Sequence, residues 1–182
     1  AAHVVTNTSA AARLGGDAIG LEVRRSTTLR RPDRPDLRIT ATPCRHGPPL
    51  SRPIVGHVVG FTLRWSDTDG EDVWITGDTV DYRAVRRAAR ALRPAIAVVH
   101  LGEVKFSLTG PLRYTMTAAE GLELARRSGA DTIVPVHYEG WSHFHEGRVG
   151  IDRALAAAGP ELRRRVQILP LGEAVTLQPH RR

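Results

Sequence analysis

Three side chains stand out for the chemistry they could do together: His46, Asp78 and His137. Each closes an apolar, strand-like run, Thr40-Ala-Thr-Pro-Cys-Arg-His46-Gly-Pro, Ile75-Thr-Gly-Asp78-Thr and Val134-Pro-Val-His137-Tyr. Strand ends of this kind are where open α/β sheets carry their reactive groups. Imidazole and carboxylate together suit zinc, manganese or iron. Taken singly, each has a plainer reading. Asp78, behind the flexible Gly77, can cap a following helix. His137 can be a hydrogen-bonded structural residue, and His46 can be an ordinary histidine in a Gly-Pro loop. Their shared position, each on a turn after a strand, favours metal ligation. Three ligands remain few for a metal centre, since one catalytic zinc alone takes three.

The elements that must position these residues fall into two styles. The first part of the chain is mostly β. His3–Thr6 is a short apolar piece, and Asp17–Val23 alternates with period two, as a strand does. Thr27–Asp36, with Pro32 and Pro35, predicts a loop. Leu37–Thr42 predicts a strand stopped by Pro43. Pro48, Pro49 and Pro53 predict a rigid loop. Val58–Trp65 and Val73–Thr76 predict antiparallel neighbours joined by the turn residues Asp67-Thr-Asp-Gly70.

From Asp78 onward strands alternate with helices. Tyr82, Val85, Ala89 and Leu92 recur at helical spacing, with arginines on the other face, and Pro94 ends that helix. Ala95–Leu101 and Asp131–Val136 are continuous apolar runs, the mark of strands buried on both faces. Thr117-x-x-Glu120 is a capping box, and its helix should end at Gly129. Ile151–Ala158 predicts a helix stopped by Gly159-Pro160, and Val166–Leu169 and Ala174–Leu177 predict two closing strands. No repeat, linker or low-complexity segment interrupts this, so residues 1–182 read as one α/β (α+β) domain.

Composition narrows the function classes. With 182 residues and 41% hydrophobic content the chain can build a real core. No apolar run approaches the roughly 18 residues that span a bilayer, and the start carries no secretion leader, so no membrane partner is expected. One cysteine, Cys44, fits a reducing compartment, with the cytoplasm as the default. The formal charge is +7, nearly all from arginine, as Lys105 is the only lysine. The arginines are scattered, without a basic run interleaved with aromatics, so nucleic acid is not expected as a partner. A small molecule is the expected substrate.

The order strand-His-Gly-Pro, strand-Gly-Asp-Thr and strand-His-Tyr resembles the second half of the metallo-β-lactamase fold, and within it the metal-dependent hydrolases similar to the bacterial ascorbate-6-phosphate lactonase. The resemblance covers roughly His3 to Leu177. It implies an αββα sandwich and a hydrolase that uses two divalent metal ions, most often zinc, with manganese or iron as alternatives. It further implies that His46 completes one metal site, Asp78 bridges both and His137 completes the other, with Asp78 and His137 the catalytic pair. One departure is serious. The family's His-x-His-x-Asp-His hallmark is absent, and only 45 residues precede His46. The N-terminal layer of the sandwich is therefore expected to be missing. A half-fold of this kind predicts an exposed apolar face that drives self-association or needs a covering segment. A non-catalytic remnant of the fold and a nucleic-acid-processing member of it are the competing readings.

By the same resemblance, the loop Tyr138-Glu-Gly-Trp-Ser-His143-Phe lines the mouth of the pocket, where Tyr138 or His143 would contact substrate. His143-x-His145 could itself place two imidazoles on one metal, but no Asp-His follows it. Cys44 is expected to be a small half-buried thiol, not a metal ligand. His100, at a strand end, is equally a wall of the pocket or a structural residue. Asp81 is expected to cap or start the helix that follows.

Overall fold

The pairing of Ile75 with Val98 and of Val98 with Val134 sets the frame of the molecule. A computed structural model describes residues 3–69 and 73–177. In chain order, β1 (Val5–Asn7), α1 (Thr8–Leu14) and β2 (Ile19–Leu21) form a small unit in which β1 and β2 pair in parallel. The main sheet follows, with β3 (Ser26–Leu29), β4 (Leu37–Pro43), β5 (Val59–Trp65), β6 (Val73–Ile75), β7 (Ile96–His100) and β8 (Thr132–Val136). These six strands lie side by side in sequence order. Pairing is antiparallel from β3 to β6 and parallel from β6 to β8. The helices are α2 (Arg52–Val55), α3 (Arg83–Ala91), α4 (Ala118–Ser128), α5 (Gly147–Ala157) and α6 (Pro160–Arg165).

Alternation along the strands decides which face each residue serves. Trp74, Ala97, Val99 and Ile133 point to one face and pack against Val85 and Ala89 of α3, Leu122, Leu124 and Ala125 of α4 and Ile151 of α5. Trp74, Val99 and Ile133 are fully buried there, each contributing about 1.5–3 kcal/mol by leaving water. On the opposite face Ile39 and Ala41 pack with Leu21, Val5 and Ile19 of the β1–β2 unit. Farther along that face Val73, Ile75, Ile96, Val98 and Val136 are only half-buried. The expected αββα sandwich is thus present in the described residues as one full sheet with its helices, faced by a two-stranded piece. The N-terminal layer was expected to be missing, whereas the β1–β2 pair supplies a two-stranded part of that second layer.

Several local expectations need correction. Thr27–Asp36 is not all loop, because Thr27 to Leu29 join β3, where β-branched threonines pair with Ile39 and Arg38. The Ala-rich α1 was not anticipated. Asn7 caps it by accepting from the Ala10 N–H at 2.9 Å, and Gly15 ends it. The proline loop contains the single turn α2, with Pro53 in its first turn. The helix expected at Ile151 begins earlier, at Gly147, and the unanticipated α6 follows it. Of the two closing strands only Val166 pairs, bridging in parallel to Ile133. The ladder stops there because Pro135, the next residue of β8 facing that edge, has no N–H to donate. Residues 174–177 form no strand. Gly70, the last residue of the expected turn after β5, lies outside the described residues.

The capping box is present as read: Thr117 Oγ1 accepts from the Glu120 N–H at 3.1 Å and the Glu120 carboxylate accepts from the Thr117 N–H at 3.0 Å. Thr117→Ala should therefore cost about 1 kcal/mol. Gly60 on β5 is a stricter constraint, since an added Cβ would sit 2.5 Å from the Thr76 carbonyl oxygen and 2.7 Å from that of Ile75. These are backbone atoms of the strand leading to Asp78. Gly60→Ala should cost about 2 kcal/mol or more through overpacking, read as a lower urea midpoint, and should exceed the loss at Thr117.

Candidate active site

Parallel register brings the strand ends of β6, β7 and β8 to one level. Ile75, Val98 and Val134 pair side by side. Asp78 and His137 each lie three residues beyond that level, and His100 lies two beyond it. Thr76 ties the ends together: its N–H donates to the Val98 carbonyl at 3.0 Å, and its hydroxyl accepts from the His100 N–H at 3.1 Å. The result is a carboxylate facing an imidazole, with His137 Nε2 3.5 Å from Asp78 Oδ2. The His100 ring lies 5.7 Å from that of His137.

His137 reaches this position in a left-handed backbone conformation, φ 59°, which is uncommon for a residue other than glycine and clusters at functional sites. Gly102, also at positive φ, makes room beneath it, because a Cβ there would lie 2.6 Å from the His137 carbonyl oxygen. The sequence reading did not single out Gly102. The Leu101-Gly102 step after β7 was its only signal.

His46 arrives from another direction. Its loop is stitched to the Asp78 loop by backbone bonds: the Arg45 N–H donates to Thr79 Oγ1 at 3.1 Å and the Val80 N–H donates to the Arg45 carbonyl at 2.9 Å. The imidazole is anchored on the far side, with Nδ1 2.9 Å from the Tyr114 carbonyl oxygen. His137 Nδ1 similarly lies 3.4 Å from the Leu101 carbonyl oxygen. A carbonyl only accepts, so Nδ1 carries a proton in both rings. A histidine held at Nδ1 by a backbone carbonyl presents Nε2, the arrangement that metal-ligating histidines use. The donor types therefore fit a metal ion. The set is incomplete: among the described residues no group of three or more His, Cys, Asp or Glu side chains is arranged to hold one. Asp78 and His137 are brought together, and His46 is held on the adjoining loop.

Capping readings fall away at the same place. Helix α3 begins at Arg83 with Tyr82 as its N-cap and no side-chain cap, so neither Asp78 nor Asp81 caps it. Asp81 instead pairs with Arg86 at 3.2 Å, and burial raises its pKa against the pull of that arginine. His100 Nδ1 is buried without a partner. Burial lowers the His100 pKa, with Asp78 opposing and His137 reinforcing, so the ring is held neutral.

The rings around the site form a connected wall. Tyr114 meets His46 edge-on at 5.5 Å and Phe106 at 5.1 Å, and Phe106 meets His143 at 5.3 Å. His143 touches Phe144 at 4.9 Å, and Phe144 touches His137 at 4.7 Å. Trp141, 70% exposed, stacks on His143 at the outer end. His143 is thus part of the wall, whereas His145 is exposed. Tyr138 is not part of it. Only 6% exposed, it packs in the helix-side core. Burial raises its pKa, and its charged neighbours are Glu139, Arg148 and Asp152 on the α5 side. The left-handed backbone at His137 breaks the alternation of β8, and the Tyr138 ring lies with Ile133 in the helix-side core, away from the site.

A model of the β-lactamase superfamily domain matches residues 2–138. The chain belongs to that superfamily. A metal-dependent hydrolase from Methanoregula boonei is 27% identical over 149 residues, covering 80% of this chain and 60% of the relative. The superfamily chain described here thus spans about three-fifths of that relative's length. Among solved structures, an isothiocyanate hydrolase from Delia radicum gut bacteria aligns with a TM-score of 0.74 at 21% identity, over 96% of this chain and 67% of its own. A metallo hydrolase from Ignicoccus hospitalis aligns with a TM-score of 0.72 at 20% identity, over 97% and 69%. These likenesses establish the metallo-β-lactamase fold, in agreement with the motif order in the sequence. No helix among the described residues is long and apolar enough to cross a membrane.

Cys44 tests the local electrostatics. Its thiol donates to the Asp78 carbonyl at 3.3 Å. Burial, with the Asp78 charge adding to it, pushes its pKa up to about 12, which is the protonated thiol expected from the sequence. In chelator at pH 8, a disulfide reagent should label the folded chain far more slowly than a free thiol, by about a hundredfold, because the thiolate is the nucleophile. Labelling should reach one thiol per chain in denaturant. Immediate stoichiometric labelling of the folded chain would contradict a buried thiol.

Proposed function

We propose that this chain is the part of a metal-dependent hydrolase that presents His46, Asp78 and His137 to a pair of divalent ions, zinc before manganese or iron. The observation that carries the reading is the Asp78–His137 pair. Asp78 has no capping duty, its carboxylate faces His137 Nε2 at 3.5 Å, and the imidazole is fixed from behind by the Leu101 carbonyl. A carboxylate and an imidazole nitrogen converging on one point are the donor types that suit a divalent cation. The family membership and the relatives named metal-dependent hydrolases support the same reading.

When bound, such ions supply a water acidified toward neutral pH and polarise a scissile carbonyl or phosphoryl oxygen. The chain's own residues do the rest. Asp78 and His137 hold their atoms on rigid strand ends, so little reorganisation is needed as charge develops. His100, buried and neutral beside them, limits water on the sheet side. Phe144 and Phe106 exclude solvent along the wall, and His143, half-buried between Trp141 and Phe144, is placed to touch substrate. We assign a small-molecule ester, lactone or phosphoester as substrate, and the cytoplasm as the compartment from the single, protonated Cys44.

Calorimetric zinc titration tests the reading. Asp78→Asn should weaken zinc binding by about a hundredfold, and His46→Ala and His137→Ala by about tenfold or more. In the protein carrying this chain, Asp78→Asn should cut hydrolysis by about two orders of magnitude or more, while His143→Ala should alter KM or substrate preference and leave metal content unchanged. A remnant without catalytic function predicts otherwise, with zinc affinity the same in wild type and Asp78→Asn. That result would overturn the proposal.

A further inference from the structure

A second feature adjoins the site and is not used by the metal chemistry. A cleft of about 330 Å³ opens between the β1–β2 unit and the loop from Cys44 to Val59, and His46 forms one of its walls. That volume accepts a small molecule. Its lining is rich in N–H donors and cationic in balance: Arg45 and Arg52, with His57 beside them, face a single carboxylate, that of the exposed Glu22.

Arg45 is the unusual member. Four described arginines are half-buried: Arg45, Arg113, Arg127 and Arg165. Arg113 is bonded to Glu120, Arg127 to Glu123 and Arg165 to the Ala130 carbonyl. The Arg45 guanidinium has no hydrogen bond or ion pair among the described residues, and its Nε is enclosed without a partner. It is held in place by stacking 4.5 Å over the Tyr82 ring, an interaction that orients the planar fork but satisfies none of its N–H groups. Its backbone is locked on both sides by the bonds to Thr79 and Val80. A partly desolvated guanidinium without an acceptor is costly to keep, and a carboxylate or phosphate matches its fork geometry. At the mouth, Arg52 donates to His57 Nδ1 at 2.6 Å, which leaves the remaining Arg52 N–H groups and the His57 Nε2–H as further donors.

We propose that this cleft is an oxyanion-binding subsite. Arg45 takes the carboxylate or phosphate of a small anionic ligand, and Arg52 and His57 close over it. Because His46 lines the same cleft, the anion anchors a substrate whose reacting group extends toward the Asp78–His137 pair. That last step rests on the hydrolase reading, whereas the anion site does not.

Titration of the folded chain with inorganic phosphate, and separately with acetate, tests this in chelator at low ionic strength. Phosphate should bind saturably at one site per chain. Arg45→Met should weaken binding about tenfold or more and Arg52→Met severalfold, in line with the loss of charge-assisted bonds. Arg87→Met, on the exposed side of α3, removes the same charge and should leave affinity unchanged. If Arg45→Met fails to fold by circular dichroism, Arg45→Lys keeps the charge without the fork and should still weaken binding about tenfold. Acetate binding stronger than phosphate binding would identify a carboxylate as the anion, and the reverse a phosphate. No saturable binding of either, or equal losses in the Arg45 and Arg87 variants, would overturn the subsite. Asp78→Asn should weaken zinc binding about a hundredfold without moving phosphate affinity, so the two proposals fail independently.

Discussion

Everything at the candidate site depends on one constraint, the in-register parallel pairing of β6, β7 and β8. A parallel ladder fixes neighbouring strands at equal height, so residues at equal offsets beyond it must meet. Asp78 and His137 stand at the same offset beyond Ile75 and Val134, and His100 stands between them beyond Val98. A slip of one residue in either pairing would turn every side chain to the other face and carry the carboxylate away from the imidazole. The register is itself fixed by burial on the helix side. Trp74, Ala97 and Ile133 are all fully enclosed, and a slip would move them out of the core at a cost of several kcal/mol. The core and the site are therefore one constraint seen from the two faces of the sheet.

What the register brings together is unfavourable to hold. A half-buried carboxylate, two neighbouring imidazoles and an unpartnered His100 nitrogen occupy the ends of the most buried strands. His137 adds a left-handed backbone conformation, of order 1–3 kcal/mol. The surroundings meet these costs with rigid backbone contacts. Gly102 and Gly60 admit carbonyls that no larger residue could, Thr76 bonds the end of β7 twice, and the Tyr114 and Leu101 carbonyls fix the imidazoles. A left-handed His137 and an unpartnered buried His100 nitrogen side by side are the kind of local cost expected where a sequence serves function at the expense of stability.

How much of this was legible in the sequence follows from which signals are local. The buried strands at Ala95–Leu101 and Asp131–Val136, the helix with Tyr82, Val85 and Ala89 and the capping box at Thr117 carry strong one-dimensional patterns, and they were found nearly in place. His46, Asp78 and His137 stood out as candidates because each follows a strand-like run, and the structure brings Asp78 and His137 together with His46 on the adjoining loop. β3 was not, because its Ser-Thr-Thr-Leu run lies at an edge and acquires strand character only by pairing with β4. Val166–Leu169 and Ala174–Leu177 read as closing strands, yet only Val166 pairs, and the missing N–H at Pro135 limits the edge beside it. Tyr138 was misassigned because sequence adjacency to His137 hides the left-handed turn at His137, after which the Tyr138 ring lies in the helix-side core. The aromatic wall from Tyr114 to Phe144 joins residues about 30 positions apart, and no local period announces it.

Charge distribution separates what composition had merged. The arginine excess gave no sign of a site, and most of it remains solvated or paired on helix surfaces. Arg126 and Arg127 share Glu123, Arg148 meets Asp152, Arg86 meets Asp81 and Arg113 meets Glu120. Surface and half-buried pairs of this kind contribute little each, about 0–1 kcal/mol. Arg45 differs in kind. It is withdrawn from water, stacked on Tyr82, tied by its backbone to the loop that carries Asp78 and placed one residue from His46. A single desolvated guanidinium beside a convergent carboxylate–imidazole pair fits an anionic small molecule far better than a nucleic-acid backbone, which would need many exposed cations along one surface.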